Sequence, residues 1–250
     1  MFTLNHRVAL VTGAAAGIGQ TIAAVLAETG AHVAISDRPE VNLGETEKLC
    51  KLHGRKVFPL AMDVRDLDQI RRGVAAVEKE FNRIDILVNN AGINRPTPSL
   101  EVDQENWEDH FNTNVRGGYF CAQAAAKGMI ERKFGRIIFI SSQSGLVGIP
   151  GQPVYCATKG ALINLVRSLG VEWAKYGITV NSVAPTFIET NLTRERLRNP
   201  EFLKFVLGKI PKGELATRED VAYAATYLAS AEAGMVNCVN LSVDGGWTAW

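Results

Sequence analysis

Two hydrophobic rhythms alternate along the chain. Short apolar runs rich in valine and isoleucine recur seven times, at "RVALVT", "HVAIS", "KVFPLA", "IDILVN", "GRIIFIS", "ITVNSVA" and "VNLSVDG". Their length and β-branched content mark them as strands. Between them lie longer stretches of helical period, near residues 18–29, 43–53, 66–82, 103–131, 154–175 and 218–229. Strands that alternate with helices need crossover connections, so the pattern predicts an α/β fold, a parallel sheet with helices on both faces.

No repeat, low-complexity tract or linker divides the 250 residues, and one domain spanning 1–250 is expected. The rhythm breaks over 186–214, a long charged excursion between the sixth strand and the last clear helix. Such excursions form lids or binding loops; a solvated pair of surface helices is the alternative.

Composition narrows the function classes. The 27 basic and 26 acidic residues nearly cancel, which points to neither a nucleic acid nor an anionic membrane as partner. Cys50, Cys121, Cys156 and Cys238 are scattered without a C-x-x-C pair, so they read as reduced thiols rather than a zinc site or a disulfide framework. The start, "MFTLNHRVALVTGAAAG", lacks the pattern of an export signal. No window offers the ~20 apolar residues of a membrane span. A soluble cytoplasmic protein is expected. His6, His32, His53 and His110 are dispersed and "SSQSG" lacks the G-x-S-x-G frame, so no metal and no acyl transfer is expected.

The first strand runs into "TGAAAGIGQ", with Gly13, Gly17 and Gly19 at G-x-x-x-G-x-G spacing and Ala16 and Ile18 among them. Glycines between a strand and a helix permit a tight turn and close approach of a pyrophosphate to free backbone N–H groups. The second strand ends at Asp37, whose carboxylate can accept both ribose hydroxyls of an adenosine and repels a 2′-phosphate. This favours NAD over NADP, although the neighbouring Arg38 could grip a phosphate. At the third strand end, Asp63 is placed to meet an adenine amino group and Val64 to cover the ring; at the fourth, "NNAG" lets the backbone of Asn90, Ala91 and Gly92 lie along a cofactor. These features converge on one sheet edge, where ligands of open α/β sheets bind.

With "TGAAAGIG" at 12–19, "NNAG" at 89–92, "NTNVRG" at 112–117, "SSQSG" at 141–145, "YCATK" at 155–159 and "VDGGW" at 243–247, the chain resembles the classical short-chain dehydrogenase/reductase family over essentially its whole length. The resemblance implies a Rossmann-like, doubly wound sheet of seven parallel strands. It also implies a catalytic tetrad of Asn114, Ser142, Tyr155 and Lys159. The residue types suit hydride transfer, which needs a group to take a proton from an alcohol or give one to a carbonyl. A phenol of ordinary pKa ~10 is a weak base at neutral pH, and a nearby ammonium favours its ionised form. Lys159 should also hold the nicotinamide ribose, Ser142 the substrate oxygen, and Asn114 a water in a proton relay.

Pro185, Ile188 and Thr190 match positions that the family places at the nicotinamide, but Thr186 stands where it usually has glycine. Substrate contacts are expected from Asn94, Arg95, Ser142, Ser144, Gln152 and Tyr155, with Gln143, the segment 147–152 and the lid nearby. These polar groups suit a sugar, sugar acid or polyol. Arg95, Arg194, Arg196 and Arg198 could clamp an anion. A 3-oxoacyl carrier-protein reductase is the alternative enzyme, and a non-catalytic nucleotide sensor the alternative class. The family implies a homotetramer, built on apolar positions such as Phe120, Leu162, Leu165, Val166 and Trp173 and on the tail "VDGGWTAW".

Overall fold

A computed structural model describes residues 2–190 and 193–249. Strands whose successive side chains are mostly apolar can be buried on both faces; all seven runs become strands, five of them buried along most of their length and the two at the sheet's edges only partly. They form β1 (Val8–Thr12), β2 (His32–Asp37), β3 (Val57–Ala61), β4 (Ile86–Asn89), β5 (Gly135–Ile140), β6 (Ile178–Pro185) and β7 (Asn240–Val243). All pair in parallel, in the order β3-β2-β1-β4-β5-β6-β7. Pro59 sits on β3, which pairs only with β2, so its missing N–H costs no interior ladder bond.

The two faces carry separate cores. Ala9 and Val11 of β1 pack toward α1 (Gly17–Glu28), α2 (Gly44–Lys51) and α9 (Arg218–Ala229). Val8 and Leu10, alternating with them, pack toward α3 (Leu67–Phe81), α5 (Gly118–Arg132) and α6 (Pro153–Trp173). The chain order reverses between β1 and β4, which opens a crevice at the carboxyl ends of these strands.

The single helix predicted over 103–131 is three pieces: α4 (Gln104–Phe111), a π-helical segment Asn112–Gly117, and α5. Close contacts with the loop after β3 and with β5 accompany the break. A Cβ on Gly117 would stand 2.7 Å from the Val64 carbonyl oxygen, and one on Gly118 would stand 3.0 Å from the Phe139 ring. The backbone approaches that loop and β5 more closely there than a side chain allows, and the wider π-helical turn accommodates the approach.

The excursion after β6 contains α7 (Arg194–Leu197) and α8 (Pro200–Lys209); Asn191 and Leu192 of the expected lid lie outside the described residues. Asn199 starts α8 by accepting from the N–H groups of Glu201 and Phe202, with proline next. These helices do not form a solvated pair. Phe187, Leu197, Val206 and Ile210 bury against Ile149 and Trp247 in a third, small core. The tail of the expected interface is described to Ala249, Trp250 lying outside the described residues. Of the apolar side chains expected at an interface, Leu162, Val166 and Trp173 are instead buried in their own core, because α6 lies flat on the sheet. Trp107 and Val171 are the exposed large apolar side chains of α4 and α6.

Candidate active site

A cleft of about 610 Å³ runs along the carboxyl ends of the strands, from Asp37 and Arg38 at one end to Ser142, Tyr155 and Lys159 at the other. At its first end the β1 and β4 loops are stapled together. The Thr12 hydroxyl accepts from the N–H groups of Asn90 and Ala91, both at 3.1 Å. Asn90 Nδ2 donates back to the carbonyls of Thr12 (3.0 Å) and Gly13 (2.9 Å). Gly13 has φ +64° and a Cβ there would stand 2.8 Å from Ala91 Cα, so both its conformation and its surroundings require glycine. Ala16, Gly17, Ile18, Val64, Ala91 and Gly92 line the cleft as expected. Gly19 does not reach its surface; it is buried behind the turn.

Asp37 lies in the cleft wall and also braces the glycine turn, accepting from Ala15 N–H at 3.1 Å and from Arg38 N–H at 2.9 Å. The Arg38 guanidinium turns to Glu40, 3.0 Å away. Asp63 is engaged by Arg65 through Nε at 3.1 Å and Nη2 at 2.7 Å, and these bonds hold its carboxyl below the usual range. Arg65, Val41 and Met62 also line this end and were not singled out in the sequence. The "DVRD" run could have signalled Arg65; Val41 and Met62 carry no local signal.

At the other end, Ser142 follows β5 and caps a short turn over Gln143–Gly145. Its hydroxyl accepts from Ser144 N–H and donates to Gln143 Oε1, both at 3.1 Å. Tyr155 and Lys159 lie one turn apart on α6. Lys159 Nζ donates to the Ile140 carbonyl at 2.8 Å and stands 5.4 Å from the centre of the Tyr155 ring. Burial pushes the Tyr155 phenol up to about 12, against the downward pull of a hydrogen bond with Ser142. Burial likewise lowers Lys159 to about 8. In the chain itself the phenol therefore lies above its ordinary value, opposite to the direction expected from Lys159, and removal from water is the main cause.

Asn114 sits on the π-helical segment and is buried. Its Oδ1 accepts from Ile93 N–H at 2.8 Å, and its Nδ2 donates to the Ile93 carbonyl (3.0 Å) and the Thr158 hydroxyl (3.1 Å). It meets Lys159 only across Gly92, where a Cβ would stand 3.3 Å from Asn114 Oδ1 and 3.7 Å from Lys159 Nζ.

Asn94 and Arg95 reach the cleft, but the Arg95 guanidinium pairs with Asp109 at 2.8 Å. Ser144 and Gln152, expected at the substrate, stand behind the wall. Ser144 is buried holding Ser142, and Gln152 is buried accepting from Asn94 Nδ2 at 2.9 Å. Pro185, Thr186, Ile188 and Thr190 form the wall beside the lid. The Thr186 hydroxyl is buried there without a hydrogen-bond partner among the described residues. Two of the lid arginines are engaged elsewhere, Arg194 with Glu189 at 3.2 Å and Arg196 over the Phe202 ring at 4.3 Å, while Arg198 is exposed. Among the described residues, no cluster of three or more His, Cys, Asp or Glu side chains is arranged to hold a metal ion. No described helix is long and apolar enough to cross a membrane.

The sequence family described as enoyl-(acyl carrier protein) reductase matches residues 13–248. Gluconate 5-dehydrogenase of Gluconobacter oxydans (strain 621H) is 38% identical over 248 residues, covering 99% of this chain and 97% of that protein. The 3-oxoacyl-(acyl-carrier-protein) reductase FabG of Haemophilus influenzae is 38% identical over 243 residues, covering 97% of this chain and 98% of that protein. Among solved structures, a gluconate 5-dehydrogenase from Burkholderia cenocepacia J2315 in complex with NADP and tartrate superposes with a TM-score of 0.96 at 36% identity, covering 100% of this chain and 98% of that one. A seven-stranded parallel sheet, a glycine turn at its switch point and relatives matched end to end lead to one conclusion: the chain belongs to the short-chain dehydrogenase/reductase family of oxidoreductases.

Proposed function

We propose that the chain is an NAD-dependent dehydrogenase that interconverts a secondary alcohol, or a hemiacetal hydroxyl, and a carbonyl on a sugar, sugar acid or polyol. The observation that carries this reading is a single continuous cleft with Asp37 and the glycine turn at one end and Ser142, Tyr155 and Lys159 at the other. Its length and its glycine-lined floor suit an extended dinucleotide. When bound, that cofactor supplies the hydride acceptor for oxidation or the donor for reduction.

Tyr155 exchanges the proton with the substrate oxygen. Burial keeps the phenol neutral, which sets it to donate to a carbonyl; in oxidation its ionised form accepts, with the Lys159 ammonium 5.4 Å from the ring centre. Ser142, with its hydroxyl oriented by Gln143 and Ser144, holds the reacting oxygen. Lys159 holds the ribose, and Asn114 organises the relay beside it. Asp37 and Arg38, Asp63 and Val64 take the adenosine, while Asn90, Ala91 and Gly92 and then Pro185, Ile188 and Thr190 follow the cofactor toward the nicotinamide. NAD preference rests on Asp37 at the end of β2 and on Arg38 being drawn to Glu40. The Burkholderia cenocepacia neighbour holds NADP, so this is the part of the reading most open to test.

Asn94, Arg95 and Thr186 give the substrate end a polar lining, which favours a hydroxylated substrate over an acyl chain. The identity to FabG keeps 3-oxoacyl thioesters as the second candidate. Residues 186–214 serve as a lid that packs against Ile149 and Trp247 through a small core. Exposed Trp107 and Val171 support assembly into a homotetramer, and four free cysteines suit the cytoplasm. The deciding experiment is a panel of sugars, sugar acids, polyols and 3-oxoacyl thioesters with NAD(H) and NADP(H), read at the nicotinamide absorbance. Turnover of hydroxylated substrates with NAD is expected; turnover of thioesters alone would overturn the substrate reading.

A further inference from the structure

One face of α4 and the π-helical segment grips the loop after β4 rung by rung, in antiparallel order. Asn106 Nδ2 donates to the Thr97 hydroxyl at 3.0 Å. His110 Nε2 accepts from Arg95 N–H at 3.1 Å. Asn114 takes both backbone groups of Ile93, at 2.8 and 3.0 Å. Residues 106, 110 and 114 recur at helical spacing on one face, while their partners 97, 95 and 93 recur at the spacing of extended chain. The loop is tied on its other side too: Thr97 N–H donates to the Gly151 carbonyl at 2.8 Å and Asn94 Nδ2 to Gln152 Oε1 at 2.9 Å.

We propose that this ladder is a positioning device that sets the substrate loop against the cleft, with His110 as its central positioning residue. The proposal rests on the functional reading above, in which Asn94 and Arg95 line the substrate end of the cleft. His110 is 1% exposed and touches no reacting group. Its Nδ1 lies 2.7 Å from the Asn106 carbonyl, which can only accept. The proton therefore sits on Nδ1 and Nε2 is left as an acceptor, the role that Arg95 N–H requires. The rung above belongs to Asn114, which flanks Gly92 opposite Lys159, so one helical face fixes both the substrate loop and the lysine's surroundings. An apolar residue at 110 leaves the Arg95 N–H unpaired and lets the loop drift from the wall.

The test compares His110→Leu with His110→Gln, whose side-chain oxygen offers an acceptor at similar reach. Amide hydrogen exchange over 93–97, cofactor affinity by fluorescence titration, and KM and kcat for the best compound of the panel are measured. In His110→Leu, exchange over 93–97 should quicken and KM rise about tenfold, with kcat within about threefold and cofactor affinity unchanged. His110→Gln should restore both exchange and KM to within about threefold of the parent. Unchanged exchange in His110→Leu, quickened exchange without a change in KM, or a glutamine variant as impaired as the leucine one would overturn the proposal. Should His110→Leu fail to fold, Thr97→Val removes the end rung together with the hydroxyl's bond to the Arg95 carbonyl at 3.2 Å, and leaves the His110 and Asn114 rungs in place. It should move exchange and KM in the same direction by about two- to threefold, and no movement in either would overturn the ladder. A parent protein that turns over nothing in the panel removes the functional reading instead, and exchange then decides whether His110 holds the loop.

Discussion

The two ends of the cleft are built on different terms. Around the glycine turn, backbone meets backbone, with Thr12, Asn90 and Asp37 bracing main-chain groups near their own strand ends. Around Tyr155, side chains distant in sequence hold one another: Asn114 with Ile93 and Thr158, Lys159 with Ile140, Asn94 with Gln152. The first end can present N–H groups to a common ligand whatever the rest of the chain does. The second depends on how a helix, a loop and the turn before α6 are stacked.

The sharpest way to break that contrast is Tyr155→Phe. It should lower kcat by at least about 10³-fold while cofactor binding, measured by fluorescence titration, stays within about threefold, because the two ends are separately built. Retained turnover would remove Tyr155 from the proton transfer. Next in size, Asp37→Ala should raise the NADP/NAD ratio of kcat/KM by about ten- to a hundredfold, through loss of a carboxylate that repels a 2′-phosphate. An unchanged ratio would mean that Asp37 only braces Ala15.

A third test concerns stability. The Lys159 ammonium titrates near 8 in the fold against an ordinary 10.5, so the folded state is penalised for carrying the charge below pH 8. That penalty is relieved as pH rises from about 8 to 10.5, because the unfolded chain then binds more protons than the native one. Lys159→Met should therefore stabilise the protein by about 1–3 kcal/mol at pH 7 while abolishing turnover, with the gain shrinking toward pH 10 in thermal denaturation. The phenol acts in the opposite sense: raised to about 12 from 10, its contribution is present below pH 10 and is lost as pH approaches 12. In Gly117→Ala, the new methyl would meet the Val64 carbonyl at 2.7 Å. A destabilisation of about 1–3 kcal/mol is expected by chemical denaturation, along with an impaired kcat from displacement of Asn114. Arg95→Ala should do least. Its guanidinium already pairs with Asp109 near the surface, so KM for a sugar acid should change by under about threefold.

How much of this was legible beforehand follows the same division. The glycine turn, Asp37 and the Tyr155–Lys159 spacing are local patterns, and each stands on the cleft where the chain order placed it. Ser144 and Gln152 also lie near the tyrosine in sequence, yet their neighbours in space turn them inward. No sequence period announces that 103–131 breaks into a π-helical segment, because the close contacts there are with Val64 and Phe139, both distant in the chain.

By itself, then, the sequence determined the fold class and the reaction type. Strand and helix periods, chain order and motif spacing are short-range properties that survive any detail of packing. Only the tertiary structure decided that burial raises Tyr155 and lowers Lys159, that Arg95 pairs with Asp109, and that His110 accepts from the Arg95 N–H. Solvent exclusion and hydrogen-bond pairing depend on which groups meet across the fold, and those meetings are set by packing rather than by position along the chain.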